Sequence, residues 1–315
     1  MQKSIFGLFF IITAICSYGQ GESSPREEYL FEQGSLGQRL VWDMGLDQTI
    51  HSPDSSKEAK EIATQMKERM LTAALESCQH LIDSFPKSKL LYDALNNMGT
   101  IEFSLGHQAN AKKTFLKILN SNADDKEPDE FSSGSLSKRY PNYKNRAVKM
   151  LAEISMADSN YKEALMYLDK TKQYEYRSFC GNGYAEEAIY VAELYARCYI
   201  GLKDDRKALD ILIPHIIENA LTDNSALVFL TYNTLLKTYK KEDLRKLYEE
   251  AFKNYKVKKV KSDREDYNLY SINFLNTKIE LDPFLLELAA KQPNDIRDNI
   301  DRMYRRSLLY HLLSQ

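Results

Sequence analysis

The stretch "ALNNMGTIEFSLGHQANAKKTFLKIL" (residues 94–119) decides how the chain reads. Met98-Gly99 sets a large apolar side chain beside a glycine, Gly106 follows seven residues after Gly99, and Ala111 and Phe115 are four apart. The small residues have a physical job. Gly99 and Ala111 allow two helices to approach closely where they cross, and Phe115 fills the space toward the next unit. The helical pattern continues from Lys57 for nearly 200 residues.

The same skeleton recurs. "AALESCQHLIDSFP" carries Ala74 and Cys78 four apart, with Pro86 twelve residues after Ala74. "LAEISMADSNYKEALMYLDKT" carries Leu151-Ala152, then Ala164 and Leu168. "YARCYIGLKDDRKALDILI" carries Tyr195-Ala196 and Tyr199, then Ala208 and Leu212. "TYNTLLKTYKKEDLRKLYEEA" carries Leu244 and Tyr248, without a small residue at the crossing. This skeleton resembles the tetratricopeptide repeat, an antiparallel helix pair of about 34 residues. The resemblance covers residues 55–255, roughly two-thirds of the chain that follows the first 19 residues.

The anchors Ala74, Ala111, Ala164, Ala208 and Leu244 are 37, 53, 44 and 36 residues apart. Two steps exceed the repeat by about 19 and about 10 residues. The first excess matches "KEPDEFSSGSLSKRYPNY" (126–143), rich in Ser, Pro and Gly. The second matches "YEYRSFCGNGYAEE" (174–187). The expected fold is therefore mainly all-α, a right-handed solenoid of helical hairpins similar to tetratricopeptide proteins. The alternative is an unrelated helical bundle. Residues 57–255 form the repeat domain and 256–315 a C-terminal hairpin with capping helices.

Before this domain, residues 20–56 read as an N-terminal extension. Residues 27–50 hold two apolar clusters broken by Gly34 and Gly37, which predicts short helices draped over the body. Ser55 or Ser56 can cap the helix that follows. Beyond it, Tyr270, Ile272 and Phe274 alternate, so Leu269–Leu275 and Lys278–Leu281 read as a β-hairpin around Asn276-Thr277. The competing reading is a frayed helix and loop. "KVKKVK" (256–261) reads as a soluble edge strand whose lysines discourage edge-to-edge pairing. Asn294 or Asp295 can cap a final helix with Ile296, Ile300, Met303, Tyr304, Leu308 and Leu312 on one face.

Residues 1–19 read as an export signal: Lys3, an apolar run from Ile5 to Cys16, then Ser17-Tyr18-Gly19 with small residues at the cleavage positions. The run is shorter than the roughly 20 residues of a membrane span. Cys16 follows the bulky Ile15, which departs from the bacterial lipoprotein pattern. A periplasmic or secreted protein is expected, without a transmembrane segment.

Composition excludes some functions. The 43 basic and 45 acidic side chains leave a net charge of -2, which gives no electrostatic footprint for nucleic acid. The five histidines are scattered, and none stands in a metal-binding spacing. No phosphate loop or G-x-S-x-G element is present. No cofactor or metal is expected.

Chemistry concentrates at residues 174–187. Cys180 precedes a helix expected to begin near Tyr184, and a helix N-terminus lowers a thiol pKa. Neither a histidine nor a second cysteine adjoins it in sequence. Glu186 and Glu187 read as first-turn charges favourable to the helix dipole. Tyr174, Tyr176 and Phe179 either pack down onto the helices or face a partner.

Tetratricopeptide proteins are generally non-enzymatic scaffolds whose first helices line a groove for a peptide or a partner helix. Carried onto the matched positions, that resemblance implies a groove of Asn96, Thr100 and Phe103, then Lys149, Glu153 and Met156, then Tyr190, Glu193 and Arg197. The Lys/Asn pattern that clamps chaperone tails is not reproduced. With the export signal, the chain looks similar to helical-repeat adaptors of the bacterial envelope. The expectation is a scaffold binding a protein or peptide. A thiol-dependent enzyme or redox protein centred on Cys180 is the alternative, and polysaccharide binding through exposed tyrosines a third.

Overall fold

A computed structural model describes residues 23–123, 129–130, 138–217, 222–261, 266–282, 286 and 295–315. The export signal with Cys16, most of the 126–143 insertion and the possible caps at 283–294 lie outside the described residues, Leu286 apart. The described chain is mostly helical, with thirteen α-helices and a small three-stranded antiparallel sheet. It divides into two compact units, one ending at Glu127 and one beginning at Pro128. None of its described helices is long and apolar enough to cross a membrane.

The first unit holds α1 (Pro25–Asp43), α2 (Leu46–His51), α3 (Lys57–Ser84), α4 (Leu91–Ser104) and α5 (Gln108–Leu119). Helix α1 corrects the reading of 27–50 as short broken pieces. Ser24 caps it, accepting from the Glu27 N–H, while the Glu27 carboxylate accepts from the Ser24 N–H at 3.1 Å. Nineteen helical residues then run through both glycines. Glycine inside a helix costs about 1 kcal/mol relative to alanine. Here the cost permits close approach to α3. A Cβ on Gly34 would stand 2.5 Å from Cys78 Sγ, and one on Gly37 would stand 2.6 Å from Ala74 Cβ. Ser56, of the two expected serines, caps α3 by accepting from the Ala59 N–H at 3.1 Å.

Gly99 and Ala111 behave as a crossing, with one correction. Phe115 is fully buried and lies over Gly99 of its own pair, where a Cβ would meet the ring at 2.8 Å. The Thr114 hydroxyl donates to the buried Glu102 carboxylate at 2.8 Å, tying α5 to α4.

The second unit contains two-residue strands β1 (Asp129–Glu130) and β2 (Lys138–Arg139), paired antiparallel, then the helices α6 (Tyr143–Ala157), α7 (Tyr161–Asp169), α8 (Gly181–Gly201), α9 (Asp205–Leu212), α10 (Ser225–Leu235) and α11 (Lys241–Lys253). Three consecutive helix pairs, α4–α5, α6–α7 and α8–α9, share one turn. Gly106, Ser159 and Lys203 each take positive φ, at 79°, 58° and 61°. The next N–H, of His107, Asn160 and Asp204, donates back five residues to the carbonyls of Glu102, Ser155 and Tyr199 at 2.8, 2.7 and 2.8 Å. This is the Schellman helix stop, which satisfies carbonyls the helix end would otherwise orphan. Five residues after each left-handed residue comes Ala111, Ala164 or Ala208, all fully buried. These three pairs thus share backbone geometry as well as a buried alanine.

The expected pairs at Ala74 and Leu244 lack this turn, and Ala74 lies inside the single continuous helix α3. Helix α11 packs instead against β4 (Tyr267–Phe274), α12 (Asp295–Arg306) and α13 (Leu308–Ser314). β3 (Lys256–Val260), β4 and β5 (Thr277–Leu281) form an antiparallel sheet in that order. The hairpin reading therefore holds, although Leu275 and Asn276 make the turn rather than Asn276 and Thr277. Both take positive φ, at 50° and 67°, as a two-residue type I′ turn requires. β3 is the lysine-bearing edge. Tyr270, Ile272 and Phe274 are buried against Tyr248, Phe252 and Tyr304. The final apolar stripe is split. Ser307 ends α12 and caps α13 by accepting from the Tyr310 N–H, and it also receives the Tyr248 hydroxyl at 3.2 Å.

Candidate functional site

Helix α8 presents Tyr190, Glu193, Leu194, Arg197, Ile200 and Gly201 along one face, at spacings of three, four and seven residues. This face forms one wall of a cavity of about 660 Å³. Glu153, Met156 and Ala157 of α6, Tyr161 of α7 and Leu230 of α10 complete the lining. The lining mixes aliphatic, aromatic and charged side chains. Arg197 Nε donates to Glu193 Oε1 at 2.8 Å. The Tyr190 hydroxyl donates to Glu153 Oε1 at 2.5 Å, and burial, then Glu153, push its pKa well above the ordinary tyrosine value. Gly201 keeps the wall close, since a Cβ there would strike the Tyr161 ring at 2.3 Å.

Five residues of the expected groove, Glu153, Met156, Tyr190, Glu193 and Arg197, line this cavity together. Asn96, Thr100 and Phe103 lie on α4 of the other unit, where the Thr100 hydroxyl donates to the Asn96 carbonyl at 3.0 Å. Lys149 does not line the cavity. Only 6% exposed, it donates to Glu187 Oε2 at 2.5 Å, with Nζ 5.3 Å from the Tyr176 ring centre and 5.2 Å from that of Tyr190. Burial pulls its pKa down and Glu187 opposes the shift. Lys149 thus joins α6 to α8 beneath the groove. Sequence reasoning missed Ala157, Tyr161, Leu194, Ile200, Gly201 and Leu230. For Leu194, Ile200 and Gly201 the signal was the three- and four-residue spacing from Tyr190 and Arg197, and for Ala157 the four-residue spacing from Glu153; Tyr161 and Leu230 come from α7 and α10, where that spacing says nothing.

The loop from Gln173 to Cys180 is tied to the start of α6. The Asn142 side chain mimics a peptide edge, accepting from the Arg177 N–H and donating to the Arg177 carbonyl, both at 2.9 Å. Asn145 Nδ2 donates to the Tyr174 carbonyl at 2.8 Å. Tyr174 and Tyr176 are half-buried, and burial followed by Glu187 raises the Tyr176 pKa. Phe179 stacks on Tyr140 at 4.7 Å between ring centres and stays 57% exposed. Two loop tyrosines therefore pack down, and Phe179 faces outward.

Helix α8 begins at Gly181, earlier than expected, so Glu187 belongs to its second turn and acts as the partner of Lys149. Cys180 occupies the cap position and is exposed. The Gly183 N–H, then the Ser178 hydroxyl, hold its thiol below the ordinary value. Burial pushes Cys78 up to about 12 and Cys198 up to about 11. In native protein a thiol reagent is expected to modify Cys180 at least a hundredfold faster than Cys78 or Cys198, because the thiolate is the reacting form. Mass spectrometry of partly labelled protein checks this, and equal labelling of all three would contradict the packing. Among the described residues, no group of three or more His, Cys, Asp or Glu is placed to hold a metal ion.

No protein-family model matches the chain, and no curated protein matches it.

Proposed function

We propose that this chain is an exported, non-enzymatic scaffold of the tetratricopeptide-like class that holds a protein or peptide partner in the cell envelope. The observation that carries the reading is the α6–α8 cavity, whose volume falls within the roughly 300–1,000 Å³ of ligand-binding sites. A lining of apolar side chains that also carries a charge pair suits a side chain inserted from a partner. The three shared turns, each followed by a buried alanine, support the repeat class, and the apolar run at residues 5–16 supports export. Phe179, exposed on the loop before α8, offers a second contact.

The test is capture of the partner from native envelopes by the full chain and by the double variant Glu193→Ala/Arg197→Ala. The Arg197 side chain is 58% exposed and that of Glu193 19%, so stability should fall by about 1 kcal/mol, and circular dichroism checks that the variant is folded. Capture is expected to fall at least tenfold. Unchanged capture would remove the cavity from the recognition surface. The second reading, a thiol-based activity, is favoured by the exposure of Cys180 and its lowered pKa. Retention of full capture and phenotype by Cys180→Ser would sink it.

A further inference from the structure

The cavity's charges are unequally satisfied, and this inequality speaks to the chemistry of its occupant. Lys149 is bonded to Glu187 and Arg197 to Glu193. Glu153 receives the neutral hydroxyl of Tyr190. Lys149 acts on Glu153 only at longer range, while its ammonium is already held by Glu187. Of the three lining charges, Glu153, Glu193 and Arg197, two cancel as an ion pair and a carboxylate is left. Tyr161 adds an aromatic ring to the same walls, and ring faces attract cations; the Tyr190 ring already carries the Lys149 ammonium at 5.2 Å. Met156, Leu194, Ile200 and Leu230 supply an apolar surface beside them.

We propose that the cavity selects a peptide segment in which a lysine or arginine sits next to an aliphatic residue. The cationic head meets Glu153 beside the Tyr161 ring, and the aliphatic neighbour covers Met156, Leu194 and Leu230. This inference rests on the scaffold reading and specifies its partner's chemistry. A basic side chain is suited to such a place because its methylene stem can lie on apolar surface while its head meets the carboxylate. An acidic segment would instead have to break the Arg197–Glu193 pair. Charge attraction also predicts binding that weakens with salt.

Fluorescence anisotropy with three labelled, end-blocked peptides tests it: Ser-Leu-Lys-Leu-Ser, the same peptide with norleucine for lysine, and the same with glutamate. The full chain is expected to bind the lysine peptide at least tenfold more tightly than either other peptide. Glu153→Gln keeps an acceptor for Tyr190 and should reduce lysine-peptide binding to the norleucine level. Glu76→Gln, on an exposed site of the first unit, should leave it unchanged. Equal binding of lysine and norleucine peptides, or tighter binding of the glutamate peptide, would overturn cation selection while leaving the scaffold reading intact. Binding of none of the three would also overturn it, and the scaffold reading would then stand or fall on the capture experiment with Glu193→Ala/Arg197→Ala.

Discussion

Gly37→Val is expected to cost the first unit about 3 kcal/mol, the upper part of the usual range for overpacking a tight contact. The new side chain has nowhere to go: its Cβ alone would stand 2.6 Å from Ala74 Cβ and 2.8 Å from the Met70 carbonyl oxygen. Valine is the better helix former by a few tenths of a kcal/mol, so propensity favours the variant and the clash opposes it. The clash wins because one neighbour is helix backbone, which cannot rotate away. Hydrogen exchange over residues 25–43 and 69–84 reads the effect, with protection falling by about a hundredfold. Ala74→Gly should return part of the loss by removing one of the two neighbours. Protection unchanged by Gly37→Val would mean that α1 and α3 do not cross there.

Lys149→Met is expected to destabilise the second unit by about 3–5 kcal/mol, because it strands a carboxylate in the interior. The Lys149 and Glu187 side chains are only 7% and 15% exposed, so water can replace the lost partner only in part. The pair itself is worth much less than either single change suggests. Both charges were desolvated to form it, and an apolar replacement escapes that cost. Lys149→Met/Glu187→Leu should therefore recover most of the stability. Urea denaturation of the two single variants and the double variant gives the coupling directly. Additive losses would show that the ion pair does not join α6 to α8.

The elements that were legible in sequence are those fixed by local chemistry. The small-residue spacing at Gly99, Ala111, Ala164 and Ala208 marks real helix crossings, because close approach demands small side chains at those points. The alternation of Tyr270, Ile272 and Phe274 marks a real strand, because one face of the sheet is buried. The misreadings have tertiary causes. Gly34 and Gly37 look like helix breakers until Ala74 and Cys78 stand opposite them. Ser307 looks like a surface position in a continuous stripe, yet it is 2% exposed and receives the Tyr248 hydroxyl from 59 residues away. Lys149 sits at a groove-facing register, but Glu187 draws it inward and Tyr176 closes over it. The cavity was half legible. Spacing marks the faces of α6 and α8, while the contributions of Tyr161 and Leu230 depend on how α7 and α10 meet them.

The central claim is that a partner sits between α6 and α8. Photo-crosslinking in intact cells tests it most directly, with p-benzoylphenylalanine placed at Ala157, an exposed residue of the cavity lining, or at Met166, which is 67% exposed on α7 and outside the lining. The account predicts a discrete crosslinked product from position 157, absent from position 166 and suppressed by Glu153→Gln in the same chain. A product of equal yield from both positions, or from position 166 alone, would contradict it.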